Sequence, residues 1–402
     1  MAKVVPFRGL RYASDKVPVE KVVTQPYDKI SKEMQERYYA LHPNNIVRIV
    51  LGKASPEDSP SNNVYTRAAK YLKDWRATGI LEQVAEPSFC VYFQKFSVPD
   101  TNEVRVRKGF IGLGRLEDYA NGVVFPHERT LTGPKKDRLE LLRHTRTHFE
   151  QIFMLYEDPE RRIDKILEEV AEAKPDIQVE DEYQVEHTLW FVSEPKTLSF
   201  IQAEMEGKKL IIADGHHRYE TALAYRNESS SDAARFMAMT FFNMHSPALT
   251  ILPTHRVVAN LPNVDTKSFF EFFTEGDTIG VVTKDTTFHL NLKPSLNLAR
   301  LMPDLSENQR KLDVVILHRL LLEKCLGISE DAMKRESHVA YVRGAEAATE
   351  KVRSGQAQIA FLLKPTRLDQ MRDIAYEGNV MPQKSTDFYP KVLSGLLLYP
   401  LE

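Results

Sequence analysis

The stretch from Lys208 to Arg226 reads KKLIIADGHHRYETALAYR. Asp214, Gly215, His216, His217 and Arg218 stand in direct succession there, between an apolar run suited to a strand and a segment with helical character. A helix N-terminus presents unpaired N–H groups and the positive end of the helix dipole, which together receive anions. Gly215 would let a ligand approach the backbone, and His216, His217 and Arg218 would add donors for phosphate oxygens. Asp214 has three readings open to it: a helix cap, a Mg²⁺ ligand, or a group that orients an imidazole. The plain structural reading makes Asp214 a cap, Gly215 a turn and the basic residues a solvated first turn. Cations at a helix N-terminus are unfavourable unless an anion is present, so the phosphate reading is preferred. Zinc fits poorly, because adjacent helical side chains diverge by about 100° and the i, i+4 histidine pair is absent.

A second set lies in FPHERTLTGPKKDR, where Glu128 stands between His127 and Arg129, and Lys135, Lys136 and Arg138 follow. Taken alone, a loop glutamate beside basic residues is more often a solvated surface than a catalyst. No G-x-x-x-x-G-K-[ST] loop occurs in the chain. A third set, MPQKSTDFYP, puts Lys384, Ser385 and Thr386 together, suited to phosphate or carboxylate but weak as a signal alone. QPYDKIS (Pro26, Tyr27, Asp28) and ILPTHRVV (Thr254, His255, Arg256) are weaker still, and His255 in an apolar run reads as a satisfied, partly buried histidine.

The elements that must position these residues alternate between short strands and helices. VVPFRGLRYA and VEKVVTQPYDKIS read as short strands closed by a proline turn, followed by helices in SKEMQERYYALHP and NVYTRAAKYLKDWRATGILE, the latter ending near Gly79. SFCVYFQKFSV and EVRVRKGFIGLGRL read as two strands about a turn. Asn121 to Arg138 is polar and turn-rich, a long loop with a helix expected from about Leu139. The strand IFMLYED, the helix RRIDKILEEVAEAK, the strand HTLWFVS, the helix KTLSFIQAEMEG and the strand KLIIA then lead to Asp214. Pro262-Asn263 is a candidate boundary, and the remainder mixes strands and helices. The pattern predicts an α+β or mixed α/β fold rather than a bundle.

The chain has 402 residues, enough for two or three domains, and a formal net charge of −2. No global field would draw it to nucleic acid or anionic lipid, so neither is expected as a partner. Cys90 and Cys325 are the two cysteines, far apart, which argues against a disulfide scaffold or a thiolate zinc site. Neither a signal-peptide core nor a bilayer-length apolar run is present, so a cytoplasmic location is expected.

ADGHHRYETA resembles the phosphate-binding box of the ParB/sulfiredoxin-like superfamily, and within it most closely that of the free L-serine kinases. Pro126-His127-Glu128 is similar to an upstream segment of those kinases whose Glu acts as catalytic base. IAFLLKPTRLDQMRDIAYEGNVMPQKST has the layout of their C-terminal end. Over its full length the chain looks like a widespread prokaryotic family carrying PYD, HE-x-T, GPKxDR and ADGHHR. The long N-terminal stretch and the longer insertion before Asp214 depart from the compact kinases, as does Asp387 after Thr386.

The resemblance implies a ParB/sulfiredoxin-like core over 121–262, with an N-terminal α/β region over 1–120 and a C-terminal α/β domain over 263–402 closing over the site. It implies a phosphotransferase that takes ATP or ADP with Mg²⁺ and phosphorylates a small hydroxyl metabolite, foremost free L-serine. Glu128, Asp214 and His217 would be catalytic, with Asp214 also organising the metal. Gly215, His216 and Arg218 would hold phosphate, joined on chemical grounds by Lys135 and Arg138, and Lys384, Ser385 and Thr386 would hold substrate. Truncation after about Gly378 would then abolish turnover and spare nucleotide binding. The alternatives are a ParB-like nucleotide switch or sensor without kinase activity, and a sulfiredoxin-like redox enzyme. A DNA-binding switch would need a basic helix-turn-helix module and a redox enzyme a reactive Cys near the box, and the sequence supplies neither.

Overall fold

The computed structural model describes the chain apart from Asn102, Arg129, Thr130, Leu131 and Glu336, with residues 132–134 and 334 described in backbone only. The fold is α+β, and the chain forms two compact units. The first comprises Met1–Phe125, Thr130–Leu249 and Pro390–Glu402; the second comprises Pro126–Arg129 and Thr250–Tyr389.

The first unit is built on a nine-stranded mixed sheet. Its order runs Val124–Phe125, Leu210–Asp214, Ile152–Tyr156, Phe236–Asn243, Val104–Arg115, Phe89–Ser97, Glu186–Val192 and Ile177–Glu180, with Val4–Val5 also paired to Val104–Arg115. Leu210–Asp214 runs parallel to Val124–Phe125 and antiparallel to Ile152–Tyr156. Residues 210–213 of the motif strand are all buried, which explains its unbroken apolar run. One core joins Val91, Phe110, Met154, Ile163, Ile212, Tyr219 and Phe241, so the motif strand and motif helix share the sheet's packing.

Most of the expected elements of this unit form. Lys32–Leu41 is capped by Ser31, and Val64–Ala77 starts from an Asn63 capping box and stops before Gly79, whose φ is +69°. Two expectations fail. The segments around Val19 and Tyr27 are 3₁₀ turns rather than strands, each entered through a proline that fixes φ and has no N–H to give a ladder. The long loop expected to reach Arg138 is also shorter: a helix spans Thr132–Thr145 and carries Lys135, Lys136 and Arg138. Gly133-Pro134 reads as a turn signal, but proline in a first helical turn forfeits only an N–H that the helix leaves unpaired.

The second unit holds a five-stranded antiparallel sheet ordered Thr287–Leu292, Phe273–Val282, Ile359–Leu362, Thr254–Val258 and Val339–Arg343. The expected strand and helix before the Lys-Ser-Thr segment form as Ile359–Leu362 and Leu368–Tyr376. A short pair joins Thr250–Leu252 to Asp387–Tyr389. No helix among the described residues is long and apolar enough to cross a membrane.

Candidate functional site

The motif strand ends in a register shift between Ile212 and Asp214, where Asp214 faces Phe153. Such a bulge re-aims the side chain at the strand's end. Gly215 follows at φ +96°, the left-handed region, and the motif helix His216–Glu228 begins at once. A Cβ at position 215 would lie 3.0 Å from Ile152 Cδ1 and 3.1 Å from the Arg218 guanidinium carbon. Glycine is therefore favoured by conformation, and a side chain here would also make Ile152 and Arg218 give way.

Arg218, one helical turn on, reaches back to Asp214 Oδ2 at 2.7 Å and donates its other terminal nitrogen to the Gln151 carbonyl at 2.7 Å. Lys391 Nζ lies 3.2 Å from Asp214 Oδ1. Arg218 and Lys391 are 8% and 7% exposed in their side chains, and Asp214 is 20% exposed. Burial pulls the Asp214 carboxyl upward, but Lys391, Arg218 and Lys29 together hold it well below the usual carboxylate range. On Arg218, burial opposes the charge, and Glu150, Asp214, Asp28 and Tyr27 overcome it, so its pKa is raised.

Tyr27, Asp28 and Lys29 of the Pro-Tyr-Asp turn thus belong to the Asp214 surroundings. Arg138 lies over the Tyr27 ring at 4.1 Å, and the Glu150 carboxylate accepts from the Tyr27 N–H at 3.0 Å. Burial pushes the Tyr27 phenol up to about 12, with Arg138 as the largest opposing charge. The sequence signal for this turn was weak, and its partners come from distant parts of the chain. Lys391 and Glu150 had no sequence signal at all.

Arg138 also donates to the Val50 carbonyl at 2.6 Å and pairs with Asp137. Lys135 is paired with Glu220 on the motif helix, and Arg143 clasps Glu228 on the same helix at 2.7 and 2.6 Å. The Thr132–Thr145 helix therefore packs on the motif helix, with Lys135 and Arg143 paired to that helix's acids. His216 is buried in the first turn of the motif helix, and His217 is half-buried.

Glu128 and the Lys-Ser-Thr segment lie in the second unit. Glu128 bridges to Met381 in parallel register, and the Met381 N–H donates to the His127 carbonyl at 2.8 Å. His127 is fully buried, and its Nε2 shares a 2.7 Å hydrogen bond with Thr386 Oγ1. Lys384 takes a left-handed φ of +56°, uncommon for a residue with a side chain. Ser385 Oγ donates to the Pro382 carbonyl at 2.6 Å, so that hydroxyl shapes its own turn. Arg256 donates through Nη2 to the Gln383 and Lys384 carbonyls at 3.2 and 3.1 Å and through Nε to His318 at 3.1 Å. Burial lowers the Arg256 pKa to about 10, while Tyr341 and Glu128 support its charge. His255 is a buried, satisfied histidine whose Nδ1 accepts from the Leu363 N–H at 3.1 Å.

Within its unit, each motif gathers its own neighbours: Asp214, Arg218 and Lys391 with the Tyr27 turn in the first, and His127, Glu128 and Lys384–Thr386 with Arg256 in the second. Arg129 and Thr130 of the His-Glu-x-Thr motif lie outside the described residues. Among the described residues, no group of three His, Cys, Asp or Glu side chains is placed to hold a metal ion. Both Asp214 oxygens already face cations, so this donor set does not fit a protein-held Mg²⁺. Burial raises both the Cys90 and the Cys325 thiols, which leaves neither poised as a thiolate.

A family model described as a protein of unknown function (DUF1015) matches residues 4–319, and the chain belongs to that family. No curated protein matches it. Among solved structures it is distantly similar to a free serine kinase in complex with AMP, at 12% identity and a TM-score of 0.36, over 68% of this chain and 88% of that one. A C-terminally truncated SbnI from Staphylococcus aureus is similar at 11% identity and a TM-score of 0.37, over 72% and 87% of the two chains. A conserved hypothetical protein from Pyrococcus furiosus gives 11%, a TM-score of 0.34, and coverage of 68% and 92%.

Proposed function

We propose that this DUF1015 family member is a nucleotide-dependent kinase that phosphorylates the hydroxyl of a small metabolite, with free L-serine as the foremost acceptor. The observation that carries the reading is the Asp214 turn: a carboxylate held between Arg218 and Lys391, with a left-handed glycine opening directly into a helix N-terminus. In phosphoryl transfer a protein mainly positions the partners and neutralises charge, which is what fixed cations and helix N–H groups do. Arg218, His216, His217 and the Gly215 turn would hold phosphate oxygens of ATP or ADP. Arg138 and Lys135 would add positive field from the neighbouring helix.

The acceptor hydroxyl is a poor nucleophile at neutral pH and needs a base. Glu128 is assigned that role by its resemblance to the kinase Pro-His-Glu segment. The hydroxyl oxygen bonds to the terminal phosphorus of the nucleotide, its proton passes to Glu128, and the bridging oxygen leaves with the bonding pair on the shortened nucleotide. Lys384 and Thr386 would hold the acceptor's carboxylate or the new phosphate, with the His127 hydrogen bond fixing Thr386. Mg²⁺ would accompany the nucleotide as the counter-ion of its phosphates.

The test is direct. The protein is incubated with ATP or ADP, Mg²⁺ and a panel of amino acids and other hydroxyl compounds, and products are read by phosphorus NMR. Formation of O-phosphoserine supports the reading. Nucleotide binding without any phosphorylated product would replace it with a nucleotide sensor.

A further inference from the structure

The C-terminal segment enters the interior of the first unit at Pro390, where two side chains of the central sheet catch it. Gln94 and Arg107 are direct cross-strand partners. Arg107 is wholly buried, with its guanidinium 4.6 Å from the Phe153 ring and 4.5 Å from the Phe242 ring. Its Nε donates to Gln94 Oε1 at 3.0 Å, and its Nη2 donates to the Pro390 carbonyl. Gln94 Nε2 in turn donates to the Lys391 carbonyl at 2.7 Å. Two successive backbone carbonyls are therefore gripped from the sheet.

Burying a guanidinium is expensive, and here burial lowers its pKa to about 9, still protonated at neutral pH. An apolar side chain would fill the space between two phenylalanines without that cost. What the charge adds is direction. With the carbonyls of 390 and 391 fixed, the path of the Lys391 side chain is set, and its Nζ meets Asp214 Oδ1 while Arg218 takes Oδ2. Phe153 joins the two places, since it contacts the Arg107 guanidinium and stands in register with Asp214 across the bulge.

We propose that Lys391 is a positioning residue for Asp214, and that Gln94 and Arg107 form the interior clamp that sets it. Its functional consequence rests on the phosphate reading of the Asp214 turn; the clamp itself does not. Gln94→Leu removes the amide at a distance from the site, and Lys391→Met removes the cation while keeping the length. By carbon NMR, the wild-type Asp214 carboxyl is expected to stay ionised to the acid edge of the folded range. In both variants its titration should move up into that range. ADP affinity by calorimetry should fall about tenfold in each, the scale of one charge-assisted contact. The double variant should lose no more than Lys391→Met alone, because both changes remove the same contact. Lys391→Arg should restore most of the affinity.

Additive losses, or a folded Gln94→Leu protein whose Asp214 titrates as in wild type, would overturn the clamp. If Gln94→Leu does not fold, Gln94→Glu serves in its place, since it keeps an acceptor for Arg107 and loses the donor to the Lys391 carbonyl. A wild-type protein that binds no ADP sinks the phosphate reading, and the carboxyl titration then still decides the clamp.

Discussion

Asp214 keeps its negative charge in a mostly buried place because two cations reach its two oxygens and Lys29 adds to their field. An aspartate in an unfolded chain titrates near about 3.9, and the folded carboxyl lies well below that. The unfolded state therefore binds the proton first as pH falls. Stabilisation from this group is complete above about pH 4 and is lost as pH drops towards the folded value. Asp214→Asn should cost about 3 kcal/mol at neutral pH, since it removes the carboxylate that two buried cations share. That gap to wild type should narrow below about pH 4 in denaturant titrations run across pH. Glu128 belongs to the same scale. Glu128→Gln keeps the size and removes the basicity, so turnover should fall about 10²–10⁴-fold while ADP affinity by calorimetry stays unchanged. Near-normal turnover would make the Pro-His-Glu match a coincidence.

At the scale of elements, the strand-to-helix turn at Gly215 is where local geometry meets chemistry. A side chain there would be strained by the positive φ and would press on Ile152 and the Arg218 guanidinium. Gly215→Ala should destabilise the protein by about 1–3 kcal/mol. It should also weaken ADP binding, because Arg218 must yield and its contact with Asp214 shifts. Thermal unfolding and calorimetry on the same variant would separate the two effects; unchanged binding in a destabilised protein would free the turn from the site. The Thr132–Thr145 helix shows the opposite relation. Its basic residues look available in sequence, yet Lys135 and Arg143 are bound to Glu220 and Glu228 of the motif helix.

At the scale of the whole molecule, the last thirteen residues return to the first unit. Leu393, Leu396, Leu397, Leu398 and Leu401 are buried, and Leu398 exchanges backbone hydrogen bonds with Leu10. Burying one such leucine is worth about 1.5–3 kcal/mol, so five of them rival the entire stability of an ordinary domain, about 5–15 kcal/mol. Deleting residues 390–402 should abolish cooperative thermal unfolding of the first unit, and nucleotide binding with it. Truncation after Gly378 removes the same leucines, so it is expected to cost nucleotide binding rather than spare it. Lys384→Met asks the substrate question without removing the core: turnover with the acceptor should fall about tenfold or more while ADP affinity holds. A truncated protein that unfolds as sharply as wild type would show the tail to be dispensable.

Sequence alone determined what depends on neighbours along the chain. The apolar run 210–213, the glycine at 215 and the helical spacing beyond it defined a strand-turn-helix before any packing was known, because pleat, left-handed φ and helical period are local properties. The helices that begin after Ser31 and Asn63 were legible for the same reason. The Thr132–Thr145 helix is legible from Leu139 onward, but its first half reads as loop because Gly133-Pro134 carries a turn signal and a helix-start signal at once. What the tertiary structure decided is which distant charges meet. Lys391 reaches Asp214 across 177 positions, and Arg138, Glu150 and the Tyr27 turn converge near Arg218 from separate segments. No periodicity encodes such meetings. They follow from sheet order and from a buried guanidinium that fixes where the chain's last segment runs, and both are settled only when the core is packed.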